Sequence, residues 1–364
     1  MSQINTNAIL DASGGSTTSI NGFTPSVSNM AGRNRIINGD MRVAQRGTSA
    51  VSNTTSANIY PVDRFAIYGA VSSKFTAQQN AGAVTPPTGF SNYLGCTSSS
   101  AYTVGSGESY SIYHNIEGYN IAGLGWGSSD AKNATLSFWV RSSLTGTQSV
   151  TLRNQAQNRS YPATYTINSA NTWEYKTIVI PAETSGTWVT NNTLGVAVIF
   201  NLGSGAAAST TANAWASANY VAATGATSVV GTSGATFYIT GVQLEEGSVA
   251  TPFEHRQYGQ ELALCQRYYN KFSLVTYQRL GIGYADLNSR VQMNTFLPVM
   301  LRTTPTATFS SVTVEGTNIT SIGSIQGDKN LSYVLNHGSS YASGETWQVY
   351  SDSANGYIDF SAEL

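Results

Sequence analysis

Between Asn34 and Thr251 the apolar positions of this chain mostly keep a period of two. The stretches "ESYSIYHNIEG", "ATLSFWVRSS", "SVTLRNQ", "TWEYKTIVIP", "LGVAVIFNLG" and "GATFYITGVQLEEG" alternate or run apolar over a few residues, then stop at Gly, Pro, Asn or Ser. Short strands at that spacing, with no helical text between them, predict an all-β unit: an antiparallel β-sandwich or jelly roll of roughly 220 residues. The alternation also sorts the side chains. In "TLSFWVRS" Leu136, Phe138 and Val140 share one face, while Ser137, Trp139 and Arg141 share the other. Tyr110, Ile112, His114 and Ile116 oppose Ser111, Tyr113, Asn115 and Glu117, and Ala235, Phe237 and Ile239 oppose Thr236, Tyr238 and Thr240. One set fills a core; the other mixes rings with polar groups.

The rhythm changes at "VATPFEHRQYGQELALCQRYYNKF", Val249 to Phe272. Tyr258, Leu262, Cys265, Tyr269 and Phe272 recur at intervals of four and three, which predicts a seam along one side of a helix. Pro252 ends the preceding strand, and Glu254 with Arg267 and Lys271 suits the helix dipole. Gly259 weakens such a helix by about 1 kcal/mol relative to Ala. The seam fits two arrangements, packing on the chain's own sheet or a short bundle between copies of the chain, and in both the helix is a joint.

Strand text then resumes with "VTYQRLGIGYADLNSRVQMNTFLPVM" and continues to "GYIDFSAEL". The division expected is therefore a polar arm over 1–33, too sparse in apolar residues to bury a core alone, then a sandwich over 34–252. A linking helix over 253–272 and a smaller C-terminal β domain over 273–364, whose strands neighbouring chains can complete, follow.

Composition narrows the function classes. Charged residues are 10% of the chain, against roughly 25% in typical soluble domains. The surface must therefore be carried by Ser, Thr, Asn, Gln, Gly and Tyr, as in β-rich extracellular proteins and fibres. A net charge of -1 offers no clustered cations for a phosphate backbone, so no nucleic-acid partner is expected. Cys96 and Cys265 are far apart without a CxxC spacing and read as two packed free thiols. "MSQINTNAILDASGG" lacks a basic segment followed by an apolar run, and no stretch is apolar enough to insert in a membrane. The expectation is a protein made in a cytoplasm that leaves its cell by lysis, as part of a particle.

"SINGFTPSVSNMAGRNRIINGDMRVAQRG", "YPVDRF", "TLSFWVRSS", "TGVQLEEGSVATPFEHRQYGQELALCQRYY", "LRTTPT" and "AEL" together resemble tail-fibre or appendage proteins of tailed bacteriophages, with a central part similar to a carbohydrate-binding-module-like jelly roll. The resemblance spans nearly the whole chain and is most specific at "QLEEGSVATPFEHR". It implies a virion protein of the tail or neck, made in the host cytoplasm. It further implies attachment to other virion proteins through the N-terminal arm, a frequently homotrimeric assembly, and β domains turned toward the host surface.

Candidate chemistry is sparse. His114, His255 and His337 are scattered and no HExxH or paired CxxC occurs, so no zinc site is expected. No cofactor is implied beyond a structural calcium ion for which Asn38, Asp40 and Glu245 would supply oxygens, with ordinary turn roles as the alternative. There is no GxSxG elbow, and "GLGWG" lacks the Lys-Ser/Thr of a phosphate loop. Cleavage of polysaccharide needs two facing carboxylates, and the adjacent Glu245 and Glu246 point to opposite sides of a strand. Pairs among Glu108, Glu117, Glu174 and Asp130 stay open.

Sugar binding asks for less: a ring to stack on a pyranose and polar neighbours for its hydroxyls. Tyr113, Asn115, Glu117, Trp139, Arg141 and Tyr238 are the candidate set, with packing beneath a loop or against a second subunit as the alternative. Trp126 and Trp188 are loop alternatives, Trp173 reads as structural, and Tyr341, Trp347 and Tyr350 are a further aromatic group in the C-terminal domain. The sequence thus points to a non-enzymatic module that recognises a host surface polysaccharide, with a structural virion adaptor and a depolymerase as alternatives.

Overall fold

The computed structural model describes residues 32–364 except 56–58, 288 and 339–343. The expected arm over 1–33 and Tyr341 thus lie outside the described residues, save for the arm's last two positions.

Up to residue 246 the strands are β1 (Val51–Ser52), β2 (Ile59–Val62), β3 (Phe65–Gly69), β4 (Phe75–Gln79), β5 (Leu94–Ser98), β6 (Ser109–Glu117), β7 (Ala134–Ser142), β8 (Gly146–Asn154), β9 (Ser160–Ile167), β10 (Glu174–Ile180), β11 (Leu194–Ser204), β12 (Ser209–Thr210), β13 (Ala222–Ala223) and β14 (Thr236–Glu246). A one-turn helix, α1 (Gly118–Ile121), follows β6. Two six-stranded antiparallel sheets face each other, one ordered β1-β4-β5-β14-β7-β10 and the other β2-β3-β6-β11-β8-β9. The fold is mainly all-β, a sandwich followed by a smaller β unit, as expected.

The alternation predicts which side chains fill the sandwich. Leu136, Phe138 and Val140 of β7, Ile112 and Ile116 of β6, and Val198 and Phe200 of β11 are buried in one core between the sheets. Strand β14 changes phase along its length. Phe237 and Ile239 face the core first; after Gly241 the inward residues are Val242 and Leu244. A bulge between Thr240 and Gln243 makes the switch, with Gly241 at φ 61°, a left-handed conformation that disfavours a side chain.

The linking helix is shorter than expected. It is α2 (Tyr258–Gln266) and not 253–272. Upstream, Glu254 accepts hydrogen bonds at 2.8 Å from the backbone N–H groups of both Gly32 and Asn34, and Arg256 donates to the Ile36 and Asn34 carbonyls. These bonds hold residues 252–256 as a strap against residues 32–36. Downstream the chain leaves the helix to form β15 (Tyr269–Leu274).

The remaining strands are β16 (Arg279–Leu287), β17 (Arg290–Phe296), β18 (Thr306–Ser310), β19 (Val312–Val314), β20 (Thr317–Gln326), β21 (Asn330–His337), β22 (Thr346–Ser351) and β23 (Gly356–Ser361). Six of them close a barrel, β16-β17-β21-β20-β19-β22, and β15-β23-β18 form a three-stranded sheet. The barrel closes within one chain, so its strands do not depend on completion by neighbours.

The seam expected along a helix does not exist as one face. Tyr269 and Phe272 lie on β15, and Cys265 is fully buried beside Ile37, Val43 and Tyr268 of the same chain. Leu262 packs at the edge of that cluster, and Tyr258 is exposed. Pairing of β15 with β23 competes successfully with helix propagation beyond Gln266. The joint is strongly polar: Arg64, 1% exposed, pairs with Glu363 and lies 3.5 Å from the centre of the Tyr268 ring.

Candidate functional site

The expected glycan-binding residues separate onto two sheets. Tyr113, Asn115 and Glu117 are on β6, while Trp139, Arg141 and Tyr238 are on β7 and β14 in the opposite layer. Because each set points away from the shared core, the six do not form one surface.

Four of them make structural contacts, and Tyr113 lines a separate cavity on its own sheet. Glu117 is 1% exposed and accepts from Arg267 Nε at 2.9 Å, Arg267 Nη2 at 2.6 Å and the Tyr268 hydroxyl at 2.7 Å. Burial pushes its carboxyl up, but the hydrogen bonds and the positive charge of Arg267 outweigh this and hold it below the usual range. Asn115 donates to the Leu364 carbonyl. Tyr238 is buried against Tyr93, with ring centres 5.2 Å apart, and Trp173 caps the same cluster. Residues 80–93 form the loop over it. Arg141 donates to the Asn171 carbonyl at 3.0 Å with its guanidinium 5.4 Å from the Tyr238 ring.

The loop alternatives also resolve into packing. Trp126 and Trp188 are buried with Trp215 in a three-ring cluster, with centres 4.9 to 5.6 Å apart. Trp173 donates its indole N–H to the Thr85 carbonyl, a structural role. Most of the oxygens considered for calcium are engaged within the protein, Asp40 Oδ1 being buried without a partner. Glu245 accepts from Thr251 and Gln243, Asp40 Oδ2 pairs with Arg42, and Asn38 Oδ1 accepts from the Val43 N–H while its amide nitrogen donates to the Val43 and Asp63 carbonyls. Glu108 and Glu174 are likewise engaged locally, by Tyr102 and Gly105 and by Lys176. Trp347 and Tyr350 lie on β22.

Trp139 is the exception. It stands directly opposite Tyr175 of β10 in the antiparallel register, with ring centres 5.4 Å apart and planes tilted by 50°. Tyr175 is 44% exposed. Beside them a cavity of about 430 Å³ opens to solvent, lined also by Phe90, Gly241, Phe253 and His255. Phe90, Phe253 and His255 form a second group of rings with centres 4.9 to 5.4 Å apart.

The local sequence explains the assembly. "PPTGF" and "TPF" deliver Phe90 and Phe253 on turn segments that sit over β14. Gly241 leaves the floor clear, since a Cβ there would lie 2.6 Å from the Phe90 ring and 3.2 Å from Trp139. The side chains of Trp139, Tyr175 and His255 have no hydrogen-bond partner among the described residues. Among the described residues no carboxylate lines the cavity. The site therefore offers aromatic faces and free polar tips.

Sequence reasoning missed Phe90, Tyr175, Phe253 and His255. Tyr175 carried a usable signal, the outward phase of "EYKTIVI"; the other three depend on where loops cross the sheet.

No family model and no curated protein matches the chain. Among solved structures it is similar to the enzymatically active domain of tailspike protein 4 of bacteriophage CBA120, at 12% identity and TM-score 0.29, over 59% of this chain and 21% of that one. It is also similar to the family 11 carbohydrate-binding module of a cellulosomal cellulase of Clostridium thermocellum, at 10% identity and TM-score 0.27, over 57% and 100%. A third similarity is to the N-terminal cellulose-binding domain of β-1,4-glucanase C from Cellulomonas fimi, at 9% and TM-score 0.26, over 56% and 91%. TM-scores this low establish neither a shared family nor a shared ligand.

Proposed function

We propose that this chain is a non-enzymatic recognition module of a virion fibre or appendage that binds a host surface glycan at the Trp139 pocket. The observation that carries the reading is the open aromatic cavity in which Trp139 and Tyr175 expose ring faces beside unpartnered polar tips. Stacking of a pyranose on such rings buries its apolar C–H face, and the imidazole of His255 and the Tyr175 hydroxyl are placed to meet its hydroxyls. The absence of a carboxylate from the lining favours binding over two-carboxylate cleavage. The virion assignment rests on the sequence resemblance, with the joint and its strap built from the same "GRNRIINGD" and "ATPFEHR" segments that carry it. The homotrimeric assembly in this reading rests on the same resemblance and does not use Cys265, which is internal to one chain.

The test is an array of bacterial surface polysaccharides probed with wild type and Trp139→Ala. Loss of about tenfold or more in affinity for the bound glycan, at nearly unchanged melting temperature, supports the site. Equal binding by both proteins removes the pocket from recognition.

A further inference from the structure

The opposite face of the sandwich holds a second cavity, of about 390 Å³, bounded by β3, β6, β8 and the crossing segment that follows β11. At its wall is Arg153 of β8, 9% exposed. Its Nη1 donates to Asn219 Oδ1 at 2.5 Å, and Asn219 in turn donates to Gln157 Oε1 at 2.9 Å. Its Nε is buried with no partner, and no carboxylate pairs with the guanidinium among the described residues.

This is an unusual state for a buried cation. Among the described residues the other buried arginine, Arg64, pairs with Glu363, and the part-buried Arg256 pairs with Glu254 and Glu261, whereas Arg302 is held by backbone carbonyls. Removing a guanidinium from water without an anion costs several kcal/mol, so one left unneutralised at a cavity wall gains from an anion that enters. Burial holds the Arg153 guanidinium below its usual value, which is the same cost seen in its protonation. Two rings share the cavity: Tyr68 and Tyr113 meet edge to face with centres 6.2 Å apart. On the same outward row of β8 Ser149 and Thr151 are fully buried, so Arg153 is the member of that row that reaches the cavity.

We infer that this cavity is a second saccharide site, selective for a sugar that carries a carboxylate, such as a hexuronate, whose carboxylate pairs with Arg153 while its ring lies against Tyr68 and Tyr113. Arg–carboxylate hydrogen bonds are short and geometrically specific, and the Asn219–Gln157 contacts already fix the guanidinium. The site stands independently of the Trp139 pocket.

The experiment is calorimetric titration of the full chain with trigalacturonate, triglucuronate and N-acetylneuraminate, with the methyl ester of each, and with inorganic phosphate. Binding of at least one acid about tenfold or more tighter than its ester, weakened about tenfold or more by Arg153→Gln and untouched by Trp139→Ala, is the expected result. Should Arg153→Gln fail to fold, Tyr68→Ala replaces it and must weaken the same acid. Acid and ester binding equally, no binding of any acid, or an acid that binds Arg153→Gln as it binds wild type each overturn the inference. Binding of phosphate alone also overturns it, by assigning the cavity to a free oxyanion. Loss in Trp139→Ala with retention in Arg153→Gln would place the acid in the other pocket and overturn this site without affecting that one.

Discussion

Trp139 and Tyr175 face each other across adjacent antiparallel strands, ring centres 5.4 Å apart, on the outside of a sheet whose inward neighbours Phe138 and Val140 are completely buried. The period of two that sends Phe138 inward sends Trp139 outward. Packing and recognition are thus written on alternate residues of one strand, and they can be perturbed separately.

Gly241 couples the fold to the pocket. Gly241→Ala places a Cβ against Phe90 in a left-handed backbone position. We expect a loss of about 1–3 kcal/mol in chemical denaturation, together with weaker binding of any glycan held by Trp139. An unchanged midpoint would mean that the bulge relaxes at no cost.

The Glu117–Arg267 pair is the expected anchor of the C-terminal unit on the sandwich. Glu117→Gln leaves Arg267 without its charge partner, and a loss of about 2–4 kcal/mol is expected, partly recovered in the double variant with Arg267→Gln. The carboxyl is held below its usual value in the folded chain, so its contribution is complete above about pH 4.5 and is lost as pH falls through the folded value. Denaturation curves of the variants between pH 7 and pH 3 should converge at the acid end. Parallel curves would show that the pair is not the titrating element.

His114 should set the behaviour at milder acidity. It is fully buried against Phe65, accepts a hydrogen bond from the Ile37 N–H, and is held well below its ordinary value by burial and by the charges of Arg64 and Arg256. The unfolded chain takes up a proton near pH 6.5 that the folded chain refuses, so stability falls as pH drops below that point, by up to about 1.4 kcal/mol per pH unit. His114→Gln should flatten this part of the profile. If the wild-type slope between pH 6.5 and 5 persists in the variant, another group is responsible.

Much of this was legible in the sequence, and the reasons are local. Side-chain alternation is a property of each strand taken alone, so the inward sets of β6 and β7 could be read directly, and the opposite directions of Glu245 and Glu246 followed from adjacency. Whether an outward residue is wet depends on what crosses above it. Tyr238 and Trp139 share the outward side of one sheet, yet residues 80–93 cover the first and leave the second open. The helix was overestimated because spacing alone does not register the competing bonds, those of Glu254 and Arg256 to residues 32–36 and those of β15 to β23. Arg153 was passed over because an unpaired cation is visible only once its surroundings are known.

The most direct test of the account follows the Trp139 indole N–H by two-dimensional NMR while a glycan selected on the polysaccharide array is titrated into the intact chain. Trp139 is the tryptophan whose side chain lines the open cavity, whereas Trp126, Trp188 and Trp215 pack together and Trp173 is tied to Thr85. Its signal, assigned by its disappearance in Trp139→Phe, should move progressively with added glycan and saturate at the calorimetric dissociation constant while the signals of Trp126, Trp188 and Trp215 stay in place. Saturable binding that leaves the Trp139 signal unmoved would contradict recognition at this pocket.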